Sequence, residues 1–129
     1  MDEIKEIHYT DIEDWKCVFF TPKEIACKGT GKIIINDDAL DKLDKFRQWI
    51  GVPFSPNSAY RSEEHNKAIG GSKNSYHKKG VAFDIPIKGS MTRDKIHQCA
   101  EIVGFTGIGD YNTFVHIDTG RERSWDKRT

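Results

Sequence analysis

Ser75-Tyr76-His77-Lys78-Lys79-Gly80-Val81-Ala82-Phe83-Asp84 is the stretch on which the fold turns. From Val81 to Ile87 the residues alternate as a β-strand does, with Ala82, Asp84 and Pro86 on one face and Val81, Phe83, Ile85 and Ile87 on the other. The polar face therefore carries a carboxylate beside a small residue, which leaves room above the strand. His77 precedes that strand on a loop, and Gly80 lets the backbone bend close to whatever the imidazole holds. Thr113 to Asp118 is a second strand candidate, placing Phe114, His116 and Asp118 on one face. If the two strands are neighbours, Asp84 and His116 meet and the loop folds His77 over them.

Outward from this pair, the helix signals are clear. Thr21-Pro22-Lys23-Glu24 has Thr at the N-cap, Pro in the first turn and Glu at the capping-box position, and Gly29 and Gly31 keep that helix short. Asn36-Asp37-Asp38 caps a longer helix with Leu40, Leu43, Arg47 and Ile50 on one face, ended by Gly51 and Pro53. Phe54 to Arg61 reads as extended. Ser62 caps a short helix that stops at Gly70-Gly71, and Thr92 caps one striped with Ile96, Cys99, Ala100 and Val103. Gly107-Ile108-Gly109 reads as a flexible turn. Helices first and short strands later predict a small α+β domain, an antiparallel sheet with flanking helices.

The chain has 129 residues, which fits one domain over 1–129 with a polar lead-in over 1–19. Twenty basic and 20 acidic side chains cancel, so no overall electrostatic grip on nucleic acid is expected. No apolar run reaches the roughly 20 residues that cross a bilayer, so membrane insertion is not expected. The opening MDEIKEIHYT is too acidic and polar to read as a signal peptide, and synthesis in the cytoplasm is expected. Three cysteines (Cys17, Cys27 and Cys99), with no CxxC spacing, favour a reducing compartment over a disulfide framework.

His77, Asp84 and His116 supply two imidazoles and a carboxylate. Three protein ligands and an open fourth position are the catalytic pattern for zinc, while a histidine on a strand is also commonly a satisfied structural residue. Arg61, at the end of the extended segment, could bind a peptide carboxylate through its planar guanidinium or serve as a structural ion pair. His65 reads as a packing residue, Tyr60 and Tyr111 as lining the cleft or else as core or rim, and Arg121, Arg123 and Trp125 as closing the domain behind the site. His8 and His97 read as surface or helix residues with no functional role.

The words FTPKEIACKGTGK, SAYRSEEHNKAIGGSKNSYHKKGVAFDI and GFTGIGDYNTFVHIDTGRERSW together resemble the zinc D-Ala-D-Ala carboxypeptidase family, in its compact, phage-type branch of peptidoglycan peptidases. The resemblance spans about Phe20 to Trp125 and implies the small α+β fold shared with the zinc domain of hedgehog proteins. It implies one zinc ion per chain held by His77, Asp84 and His116, with Ser75 and Arg61 touching substrate. The implied reaction is hydrolysis of a peptide bond in peptidoglycan stem or cross-link peptides; a non-catalytic zinc recognition module is the alternative. Many relatives carry an acidic general base three residues before the last ligand, where this chain has Thr113. Asp110, six residues before His116, is the favoured substitute; Asp118 is the other, as a base or as a residue orienting a ligand. The expected setting is a phage or prophage enzyme, monomeric or part of a phage particle, reaching the wall through a holin-type pore or as a virion component.

Overall fold

Local sequence signals decide where each element of this computed structural model begins, and the structure describes residues 6–129. Strand β1 (Ile7–His8) pairs antiparallel with β2 (Lys32–Ile33) as a small ribbon. Helix α1 (Pro22–Ile25) opens on a complete capping box between Thr21 and Glu24. Helix α2 (Asp37–Ile50) is capped by the Asn36 side chain and ends at Gly51, whose φ of 78° lies in the left-handed region. Helices α3 (Glu63–Ala68) and α4 (Arg93–Val103) start at Ser62 and Thr92 as their hydroxyls predict.

Strands β3 (Ala82–Pro86), β4 (Gly107–Asp110), β5 (Phe114–Asp118) and β6 (Arg123–Asp126) form one sheet in the order β3-β5-β4-β6. The first three are antiparallel neighbours, as expected; β6 adds in parallel beside β4, so the sheet is mixed. Two segments differ from their sequence reading. Gly107-Ile108-Gly109 is a buried strand rather than a flexible turn, and Arg123–Asp126 is the edge strand of the sheet rather than a closure behind the site.

One face of the sheet carries Phe83, Ile85, Ile108, Val115 and Ile117, all buried with residues of α2 and α4. Edge-to-face contacts join Phe46 of α2 to Phe54 and Phe105 at 5.7 and 6.4 Å, and Phe105 to Phe83 at 6.2 Å. The face of α2 that packs inward is Ala39, Leu40, Leu43 and Phe46, whereas Arg47 and Ile50 of the expected stripe stay half-buried at its margin. Asp44 of the same helix is buried and accepts the backbone N–H groups of Val18 and Phe19 at 2.7 and 3.0 Å, which ties the polar lead-in to the core.

The other face is organised by register. Opposite partners share a face, so one row runs Ala82, Asp118, Gly107, Arg123 and the next runs Asp84, His116, Gly109, Trp125. The small residues make space for the large ones. A Cβ at Gly107 would lie 2.2 Å from Asp118 Oδ1, and one at Gly109 would lie 2.2 Å from the Trp125 ring. These glycines serve close approach, not a turn. Gly109→Ala must therefore push the indole off the strand, with a loss of about 1–3 kcal/mol in unfolding free energy. Denaturant melts followed by tryptophan fluorescence check this, with a shifted native emission expected beside the lower midpoint.

Candidate metal centre and cleft

His77, Asp84 and His116 converge as the sequence predicts, each from a different element. Asp84 on β3 lies directly opposite His116 on β5. His77 sits in a 3₁₀ turn, Tyr76–Lys79, capped at one end by the Ser75 hydroxyl and closed at the other by Gly80 with φ of 74°. The extended segment before α3 lies along β3, where Ser58 bridges Asp84, and Arg61 N–H donates to the His77 carbonyl at 3.0 Å. All three side chains are buried, and their ligand atoms lie within 4.8 Å of one another.

Each imidazole has one nitrogen committed away from the centre. His77 Nδ1 lies 2.6 Å from the Ala59 carbonyl, which can only accept, so Nδ1 carries the proton and Nε2 a lone pair. His116 Nε2 donates to Asp118 Oδ2 at 2.7 Å, leaving the Nδ1 lone pair pointing inward. His77 Nε2 and His116 Nδ1 both stand 3.1 Å from Asp84 Oδ1. Three lone pairs thus face one another, an arrangement that repels unless a proton or a cation lies among them. A tetrahedral zinc ion with bonds of about 2.0 Å would set its ligand atoms about 3.3 Å apart; the donor types and the two 3.1 Å separations from Asp84 fit such an ion.

The charges respond to this crowding. Burial would raise the Asp84 carboxyl, but a proton carried inward by His116 or His77 and hydrogen-bonded to it outweighs that and holds the carboxyl well below the usual carboxylate range. Burial pulls His116 down, yet its bonds to Asp118 and Asp84 win and leave it above its ordinary value. Asp118 is fully buried; hydrogen bonds from His116, from Arg123 and from the Gly120 N–H overcome its desolvation and bring it to about 2. Arg123 clamps both Asp118 oxygens at 3.1 and 2.9 Å, with its guanidinium carbon 4.6 Å from the Tyr76 ring and 4.7 Å from the Trp125 ring.

The structure brings neither proposed base to the cavity. Asp110 pairs with Val115 and so projects from the core face of the sheet, where His97 and Arg93 of α4 bind its Oδ1 at 2.7 and 2.8 Å. Burial opposes ionisation of Asp110, but those two partners lower its carboxyl below the ordinary value. Asp118 touches His116, yet both its oxygens are consumed, so its geometry is that of a residue orienting an imidazole. Thr113 is exposed and outside the cavity lining.

Around the centre opens a cavity of about 780 Å³. Arg61 and Ser75 both line it. Arg61 is already engaged, by Nε to Ser58 Oγ at 3.1 Å, Nη1 to Asn66 Oδ1 at 3.2 Å and Nη2 to Asp84 Oδ2 at 3.5 Å. Tyr111 and Phe114 stack at 4.6 Å on the wall, and Trp125 Nε1–H donates to the Tyr111 hydroxyl oxygen at 3.0 Å. Tyr111, Arg121, Arg123, Trp125 and Lys127 all face this space. The sequence held a signal for the last three, since 123, 125 and 127 alternate along β6. Tyr60 instead lies in the core, with its hydroxyl bonded to Glu6, and the ring of His65 packs against Gly29. The three cysteines are free and take no part in the centre.

Comparison with known proteins agrees with this geometry. A family model described as peptidase M15 matches residues 15–118. The peptidoglycan L,D-endopeptidase MepK of Escherichia coli (strain K12) is 35% identical over 100 residues, covering 70% of this chain and 54% of its own length. A probable peptidoglycan L,D-endopeptidase MepK of Haemophilus influenzae is 41% identical over 73 residues, 51% of this chain and 39% of that protein. The chain thus spans about half the length of the first of these relatives.

Metal-free protein is expected to take up one zinc ion per chain, and His77→Ala to lose that uptake. Removing the charge behind His116 by Asp118→Asn should weaken zinc by about 10–100-fold. Because His116 is raised above 6.5, protons must compete with the metal at higher pH than they would at an ordinary imidazole. Chelator-competition titrations across pH check both; affinity should already decline as pH falls toward 6.5.

Proposed function

The chain belongs to the peptidase M15 family, and from that premise we propose that it is a zinc-dependent peptidase of peptidoglycan stem or cross-link peptides. The observation that carries this reading is the convergence of two imidazole lone pairs, each 3.1 Å from Asp84 Oδ1, beside a cavity wide enough for a peptide. The names of the relatives favour an endopeptidase over a carboxypeptidase. The proposed setting remains a phage or prophage lysis or tail protein, on the resemblance of its motifs to compact phage-type enzymes.

His77 through Nε2, Asp84 through a carboxylate oxygen and His116 through Nδ1 would hold the zinc ion. Bound there, zinc lowers the pKa of a water and polarises the scissile carbonyl. Ala59 and Asp118 keep the two imidazoles in the tautomers this requires. Arg61 holds Asp84 Oδ2 to one side and puts positive charge near the carbonyl end of a bound peptide. The Ser75 hydroxyl accepts the His77 N–H and keeps its own proton for substrate. Tyr111 accepts from Trp125, so its O–H is free to donate to a substrate carbonyl oxygen.

One observation favours the recognition-module reading as well. Among the described residues, Asp84 is the only carboxylate on the cavity wall. A positioned general base contributes about 10²–10⁴-fold, so on the peptidase reading turnover is expected to be slow. Incubation of zinc-loaded protein with murein sacculi, followed by mass spectrometry of the released muropeptides, separates the two readings. New peptide termini that vanish with a chelator or with His77→Ala support the peptidase. Binding to sacculi without any new terminus between pH 5 and 9 supports the module.

A further inference from the structure

The chain has no net charge, yet its cavity does not share that neutrality. Four cationic side chains line it, Arg61, Arg121, Arg123 and Lys127, against the single wall carboxylate Asp84. Two of the four are satisfied within the fold: Arg61 by Asp84, and Arg123 by Asp118 beneath it. Arg121 and Lys127 have no carboxylate partner among the described residues. The acid next to Lys127 in the chain and the one across the strand pair from it are both spent elsewhere. Asp126 is paired with Arg128 at 2.6 Å, and Asp110 is held on the far face by Arg93 and His97.

The position of Lys127 is set by backbone, not by chance exposure. Its N–H donates to the Asp110 carbonyl at 2.7 Å, extending the β4–β6 pairing by one residue. Alternation along β6 then puts Lys127 on the face of Arg123 and Trp125, one step beyond the row that holds Asp84 and His116. Beside it stands the Tyr111–Phe114 stack, an apolar wall on which a peptide backbone or aliphatic side chain can lie. Arg121 stands just before the opposite end of the same edge strand and also faces the cavity. A peptide running along β6 would therefore meet a cation on each side of the metal row.

We propose that Lys127, with Arg121 at the far end, forms a carboxylate-reading subsite that selects peptides bearing free side-chain or α-carboxylates flanking the scissile bond. This rests on the peptidase reading and specifies its substrate class: acidic stem peptides in preference to their amidated forms. A charged hydrogen bond to a carboxylate is lost on amidation, so discrimination of about tenfold or more is expected. Lys127 acts as a specificity residue and takes no part in bond cleavage.

The test compares two muropeptide substrates that differ only in free against amidated carboxyl groups. The wild-type protein should show kcat/KM at least about tenfold higher on the free acid. In Lys127→Ala that ratio should collapse to near unity, and Lys127→Arg should restore most of it, which a folding defect would not do. Equal rates on both substrates in the wild type, or an undiminished ratio in the Lys127→Ala, Arg121→Ala double variant, would overturn the subsite. If neither substrate is cleaved, the peptidase reading fails, and calorimetric binding of the same two muropeptides to the same variants reads the subsite directly. Tighter binding of the free acid that disappears in Lys127→Ala then supports it, and indifference to amidation refutes it.

Discussion

Two imidazole lone pairs, each held 3.1 Å from one carboxylate oxygen, set the terms for the whole open face of the sheet. Such a cluster is repulsive in itself and persists only because each group is held from behind. Ala59 fixes His77, Asp118 fixes His116, and Arg61 faces the second oxygen of Asp84. Every one of these supports is buried or nearly so, where an unpaired partner would cost about twice what the bond contributes on balance. These bonds therefore fix the direction in which each donor atom points.

The sheet makes that arrangement possible by alternating bulk. Ala82 and Gly107 flank Asp118 so that its carboxylate and the Arg123 guanidinium fit on one row. Gly109 lies between His116 and Trp125 on the next, letting the indole ring centroid come within 5.2 Å of the imidazole centroid. Tyr76 and Trp125 then cover the two sides of Arg123. The opposite face is conventional by comparison, an aromatic and aliphatic core under α2 and α4. The Asp110–His97–Arg93 group belongs to that side and ties the end of β4 to α4. Arg93 also donates to the Tyr111 carbonyl at 2.7 Å, so the same group anchors the cavity wall.

Much of this architecture is legible in the amino-acid sequence. The caps at Thr21, Asn36, Ser62 and Thr92, the two central strands and the meeting of Asp84 with His116 follow from short-range rules about hydrogen bonding and alternation. What the sequence hides is the meaning of Gly107 and Gly109. Glycine in isolation reads as a turn, and only the pairing with β6 reveals that the missing Cβ atoms accommodate Arg123 and Trp125. The placement of Asp110 hangs on the pairing of the same strand with β5. As a turn residue it could swing toward the metal row; as a strand residue opposite Val115 it faces the core. Parallel addition of β6 likewise makes Arg121, Arg123 and Trp125 the wall of the site, where the sequence puts them behind it.

Whether His77, Asp84 and His116 together form a metal centre is read from X-ray absorption at the zinc edge of the loaded protein. A first shell of nitrogen and oxygen at about 2.0–2.2 Å is expected, including two imidazoles and no sulfur. A sulfur shell at about 2.3 Å would mean that one of the free cysteines holds the ion instead, and would rule this centre out.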